Sequence, residues 1–120
     1  VGMLAEISGY HHTGDDSDAA IQGLAATSMR LGANAVEVCD RDFARNEKLV
    51  KAVKAISGGS IPVILGGATN VENCADRLRY ADGALVGTAF EGGKWGGPII
   101  GSIVADYVRK VRQLEEELAK

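Results

Sequence analysis

Pro62-Val-Ile-Leu-Gly-Gly-Ala-Thr-Asn-Val-Glu-Asn73, followed by Ala81-Asp-Gly-Ala-Leu-Val-Gly-Thr-Ala-Phe90, decides how this chain is read. Each segment begins with a short apolar run, stops at glycine and passes into polar residues that open a new element. That is how a β-strand reads when it feeds a loop and then a helix. Outward from here, four apolar runs read as strands: Met3–Ser8, Ala35–Cys39, Pro62–Leu65 and Gly83–Gly87. They are near-continuous rather than alternating, the pattern of parallel strands covered on both faces. Glu6 and Glu37 interrupt them, each late in its strand.

Helical patterns alternate with the strands. From Asp18 to Leu31, residues Ile21, Leu24, Ala25, Ser28 and Leu31 fall on one face, with Ser17 as N-cap and Gly32 as the stop. A second helix is predicted over Asn46–Ile56 on Leu49, Val50, Val53 and Ile56, ending at Gly58-Gly59. Thr69-Asn-Val-Glu72 reads as a capping box opening a third helix that runs to about Arg79. The fourth follows Gly97-Pro98, with Ile100, Ile103, Val104, Tyr107, Val111, Leu114 and Leu118 as its stripe.

The order β-α-β-α-β-α-β-α implies a parallel sheet with right-handed crossovers in one α/β domain spanning residues 1–120. Two architectures fit. One is the C-terminal half of a (β/α)8 TIM barrel, four βα units with sequential strand order. The other is an open flavodoxin-like sheet with order 2-1-3-4. Half a barrel leaves two unpaired edges, so it calls for a second copy in a homo-oligomer or for a complementary N-terminal half-barrel. The chain begins at Val1, which fits either a removed initiator or a piece of something longer.

Composition narrows the function classes. The net charge is −3, which gives no basic face for nucleic acid or an anionic membrane. No apolar stretch approaches the ~20 residues of a membrane span, and no signal peptide is recognisable, so a cytoplasmic location is expected. Cys39 and Cys74 fit neither a disulfide framework nor a zinc pattern and read as buried thiols. Nothing calls for a cofactor.

Of 16 glycines, eleven lie between Gly58 and Gly101, concentrated where backbone must approach something closely. Gly66-Gly67 and Gly87-Thr88 end the last two strands, where barrels often bind phosphate. Bare amides, a helix N-terminus and the Thr88 hydroxyl are the donors expected there. In the loop Glu91–Gly97, Lys94 is placed to pair with the anion, and Trp95 to stack on or cover the ligand. The partner these features imply is a phosphorylated small molecule.

These two segments, with Gly93-Lys-Trp95, resemble the C-terminal part of the BtpA family, barrel proteins named for photosystem I biogenesis and found also in bacteria without photosynthesis. Ala5-Glu6 and His11 match where that family has an acidic strand end followed by a histidine. The resemblance implies a (β/α)8 barrel with a phosphorylated ligand, in proteins about twice this length. Asp40-Arg41-Asp42 departs from it, since the family more often has small residues after this strand. Phosphate-binding barrels of sugar, indole and prenyl metabolism share the Gly-Gly and Gly-Thr loops.

Catalytic groups of a barrel sit at strand C-termini, which selects Glu6, Ser8, His11 and His12 from the first unit and Glu37, Asp40 and Asp42 from the second. Glu6, His11 and Asp40 are the candidates for proton transfer of lyase or isomerase type. Each acid has a structural alternative, a carboxylate bonded to a nearby arginine or amide. His11 and His12 with Asp15, Asp16 and Asp18 make a weak metal pattern, because adjacent histidines on an extended segment point apart and acids before a helix need no metal. No strand ends in lysine, which argues against Schiff-base chemistry, and no nucleophile elbow or Walker loop occurs.

Overall fold

A computed structural model of the protein describes residues 1–9 and 14–120. The elements alternate as expected: β1 (Leu4–Glu6), α1 (Asp18–Arg30), β2 (Ala35–Val38), α2 (Phe43–Ser57), β3 (Val63–Leu65), α3 (Cys74–Leu78), β4 (Gly83–Ala84) and α4 (Gly101–Leu118), with a 3-10 turn over Thr88–Glu91 after β4. The strands form one parallel sheet in the order β1-β2-β3-β4.

Local chemistry sets the boundaries. Ser17 caps α1 by accepting the N–H of Ala20, and Gly32, at φ 91°, turns the chain away from it. α2 starts three residues earlier than its apolar stripe predicts, because Asp42 caps it through the N–H of Arg45 at 2.8 Å. Gly58, in the left-handed region, ends it. α4 likewise begins at Gly101 rather than at Pro98.

The third helix corrects the sequence reading most. The Thr69–Glu72 capping box does not form. Instead Asn70 and Asn73 each accept the other's backbone N–H, at 2.9 and 2.8 Å, and helix begins only at Cys74. Thr69 is withdrawn from capping because it is buried against α4.

Register divides the sheet into two unlike faces. Neighbours in register share a face, and faces alternate along each strand. Ala5, Val36 and Val63 lie in one row, with Val38, Leu65 and Ala84 in the next row on the same side. These residues join Ile21 and Ala25 of α1, Leu49, Val50 and Val53 of α2, Cys74 and Leu78 of α3, and Tyr107 and Leu114 of α4 in one core. The opposite face carries Leu4, Glu6, Ala35, Glu37, Ile64 and Gly83. It stays open among the described residues: Leu4 is 40 % exposed, and Leu85, two positions beyond Gly83, is 51 % exposed. Near-continuous apolar strands had implied cover on both faces, yet all four helices back only one.

Cys39 and Cys74 are buried and form no disulfide among the described residues, and burial pushes the Cys74 thiol up. No helix among the described residues is long and apolar enough to cross a membrane.

On the open face Glu37 reaches over the start of the β3 loop. A Cβ added to Gly66 would lie 1.9 Å from Glu37 Oε1 and 2.7 Å from its Cγ. A side chain at Gly66 would therefore force the Glu37 side chain to move. Gly66→Ala is expected to cost about 1–3 kcal/mol in urea unfolding, the range for forcing extra atoms into filled space. In a Glu37→Ala background the same change should cost almost nothing.

Candidate functional site

The ends of β3 and β4 open onto one cleft of about 1070 Å³. Gly66–Glu72 form one wall, Leu85–Ala89 with Glu91–Gly93 and Trp95 another, and Arg41 enters from the β2 side. The sequence-derived set Gly66, Gly67, Gly87 and Thr88 is thus brought together.

The backbone decides which of these residues offers a donor. Gly66 N–H continues the ladder and donates to Val38 O at 3.0 Å, so it is occupied. Among the described residues no acceptor meets the N–H of Gly67, Ala68 or Thr69. The N–H groups of Gly87, Thr88 and Ala89 open the 3-10 turn, where no carbonyl of the turn precedes them. Two runs of residues whose N–H groups meet no acceptor among the described residues therefore line one cleft. The expected helix dipole does not add to them, since α3 has only five residues and starts at Cys74.

The β3 loop is held in an uncommon conformation. Gly67 has φ 150° and Ala68 φ 60°, the one left-handed residue besides glycine among those described. A side chain there costs about 1–2 kcal/mol. Asn73 offsets this by donating Nδ2–H to Ala68 O at 3.0 Å while it exchanges bonds with Asn70. Gly87 needs no steric explanation of the Gly66 kind, because a Cβ there would meet nothing within 4 Å.

One buried side chain ties the two loops together. Tyr107 of α4 donates its hydroxyl to Thr69 Oγ1 at 3.0 Å. Its ring meets Phe90 of the 3-10 turn edge-on, with centroids 5.2 Å apart. Burial pushes the tyrosine hydroxyl above its ordinary pKa, so it stays a donor. The sequence signal for this role was available: a residue with a polar tip on an otherwise apolar stripe needs a partner.

Arg77 does the same for the β2 loop. It is buried, donates Nη1–H to Asp40 O at 2.8 Å and Nη2–H to Arg41 O, and lies over the Phe43 ring. This clamp fixes where Arg41 enters the cleft. Nothing in the sequence distinguished Arg77 from any other helical arginine.

Of the predicted proton-transfer residues, Glu6 and Asp40 do not line the cleft. Glu6, exposed at the end of β1, packs beside Gly9 and stands in register with Glu37. Asp40 is half-buried, its Oδ1 accepting the N–H of Asp42 at 2.8 Å in a turn that leads into α2. His11 and His12 lie outside the described residues. Lys94 is exposed and absent from the cleft wall, although its neighbours Gly93 and Trp95 belong to it.

Two of the three acids around the start of α1, Asp15 and Asp18, have structural partners. Asp18 pairs with Arg45 at 2.6 Å and Lys48 at 3.6 Å, and the Arg45 hydrogen bond holds its carboxyl below the ordinary aspartate range. Asp15 accepts the N–H of Ser17 at 2.9 Å. Among the described residues no group of three or more metal-ligating side chains converges.

The chain is 32 % identical over 120 residues to an uncharacterised protein of Thermococcus kodakarensis, a match covering 98 % of this chain and 43 % of that relative's length. No protein-family profile matches the chain, and no solved structure does.

The Tyr107–Thr69 bond is tested by a double-mutant cycle in urea. Tyr107→Phe is expected to cost about 0.5–1.5 kcal/mol, as for a typical buried hydrogen bond. Adding Thr69→Val should cost little more, since both partners are then gone. Strict additivity would rule the bond out as a link between the loops.

Proposed function

We propose that this chain forms four βα units of a (β/α)8 barrel of the BtpA type, and that its cleft takes the phosphate group of a small phosphorylated metabolite. The observation that carries the ligand reading is the pair of bare amide runs, Gly67–Thr69 and Gly87–Ala89, at adjacent strand ends around one cleft. Phosphate sites in barrels recur at the loops after the last two strands.

Three features support the barrel over a doubly wound sheet. The strand order is sequential. The helices back one face, whereas a doubly wound sheet is covered on both. The Thermococcus relative, of which this chain spans 43 %, has length left for further units. Edges at β1 and β4 are then closed by a complementary N-terminal half-barrel or by a second copy, and the open face becomes the barrel interior.

In the enzymatic form of this reading, Glu6, His11 or Asp40 transfers a proton in lyase- or isomerase-type chemistry. A second reading is a binding or assembly half-barrel without catalysis. It is favoured by the position of Glu6 and Asp40 outside the cleft wall and by the use of the Asp40 carboxylate in a turn.

Amide chemical shifts followed during titration with inorganic phosphate test the site. Saturable shifts in the millimolar range are expected at Gly67–Thr69 and Gly87–Ala89, with Arg41→Ala weakening binding several-fold and Lys94→Ala leaving it nearly unchanged. Absence of shifts at both loops would overturn the phosphate reading.

A further inference from the structure

A phosphate on the amide runs would fill a small corner of the cleft. At about 1070 Å³ the cleft is at the upper end of the range for whole small-molecule ligands, so most of it is left for an organic body. What lines the rest is informative. Trp95, the sole tryptophan, lies in the cleft wall and is 90 % exposed. An indole is among the largest apolar surfaces a side chain offers, and this one buries almost none of it within the protein.

The exposed indole does not sit on a loose loop. Gly93 N–H donates to Thr88 O at 2.9 Å, Gly96 N–H to the Glu91 carboxylate at 2.9 Å, Gly97 N–H to Lys94 O at 2.9 Å and Ile100 N–H to Phe90 O at 2.7 Å. Gly92, Gly93 and Gly96 take the left-handed turns between these bonds. The bonds to Thr88, Glu91 and Phe90 anchor the loop on the 3-10 turn that carries the second amide run. The aromatic face and the amides are thus presented by one braced segment, beside Arg41 and the β3 loop.

On the phosphate reading of the cleft, we infer that the ligand is a phosphate monoester whose organic body carries a ring, a cyclic sugar or a nucleoside, and that this ring lies on Trp95. The amides hold the phosphate, and the indole offers a flat apolar face to a sugar's C–H side or to a base. The carboxylates of Glu72 and Asp106 stand in the same wall as acceptors for ring hydroxyls, Asp106 through the oxygen that its pair with Arg109 leaves over. An acyclic ester reaches the amides and gains nothing from Trp95.

The test combines Trp95 fluorescence with amide-shift titration of this chain. The probes are inorganic phosphate, glycerol 3-phosphate, glucose 6-phosphate and adenosine monophosphate, with glucose and adenosine as unphosphorylated controls. Glucose 6-phosphate or adenosine monophosphate should bind about tenfold or more tighter than glycerol 3-phosphate, the scale of one aromatic stacking contact, and should shift Trp95 emission. Whichever of the two shows the margin identifies the ring. Trp95→Ala should bring the ring ester down to the affinity of glycerol 3-phosphate, and Trp95→Phe should keep most of the margin. Equal affinities for cyclic and acyclic esters, or a Trp95→Ala loss shared by inorganic phosphate, overturn the inference while the phosphate reading stands. Binding of glucose or adenosine without any phosphate response overturns both, as does a lack of response to every probe.

Discussion

The register that sets Val36 against Val63 and Val38 against Leu65 puts the fully buried side chains of the sheet on one face, and most of the molecule follows from that pairing. Helix stripes from all four helices meet this row in a single core. A slip of one residue would exchange the faces and bring Glu6 and Glu37 into that core, where burying a carboxylate is costly. The charged residues therefore lock the register from one side while the valines hold it from the other. The same alternation leaves Leu4, Ile64 and Leu85 on a face that the helices do not reach. A sheet built this way needs closure or cover, and it directs both strand-end glycine loops toward one end.

Those glycines look alike in sequence and have separate physical causes. Gly66 is bare because Glu37 fills the space its side chain would take, and its amide belongs to the ladder. Gly67 adopts φ 150° and starts a left-handed turn that Ala68 continues under strain. Gly87 faces open space, so the missing side chain there leaves the second amide run accessible. The donors of the site thus begin one residue after the glycine that the pattern Gly-Gly points to first. Braces from Asn73, Tyr107 and Arg77 hold three successive loops, and none of the three is itself part of the cleft wall.

How much of this was legible follows from which forces act locally. Element order, the central residues of the helix stripes and the Ser17 cap are consequences of periodicity and short-range hydrogen bonding, and they read correctly, whereas Leu31, Ile56 and Leu118 at the stripe ends are exposed. The third helix did not read correctly, because two alternatives compete within four residues. Thr69 and Glu72 form a plausible capping box, but Tyr107, 38 positions away, takes the threonine hydroxyl, and the Asn70–Asn73 exchange then closes the turn that precedes Cys74. That one face stays open among the described residues was not legible either, because Leu4, Ala35 and Ile64 look apolar whether or not anything lies over them. Gly66, Gly67, Gly87 and Thr88 were found because glycine marks backbone that must come close. Arg41 and Arg77 were not, because a helical arginine or a loop arginine carries no sign of the carbonyl or cleft it will meet.

Charge in the cleft constrains how an anion is held there. Among the described residues its wall has one arginine, Arg41, against three carboxylates, Glu72, Glu91 and Asp106. Two of the acids are partly engaged: Glu91 accepts the N–H of Gly96, and Asp106 pairs with Arg109 at 2.8 Å. Side-chain charge still does not favour a phosphate, so the attraction must come from oriented N–H dipoles at short range. Such dipoles act within hydrogen-bond distance, whereas the surrounding carboxylates act over a Debye length of about 8–10 Å. Added salt screens the repulsion more than it weakens the amide contacts, which reverses the usual salt dependence of a lysine- or arginine-lined phosphate site. The clamp by Arg77 then matters for a specific reason: it sets the place of the one arginine or lysine in the wall among the described residues.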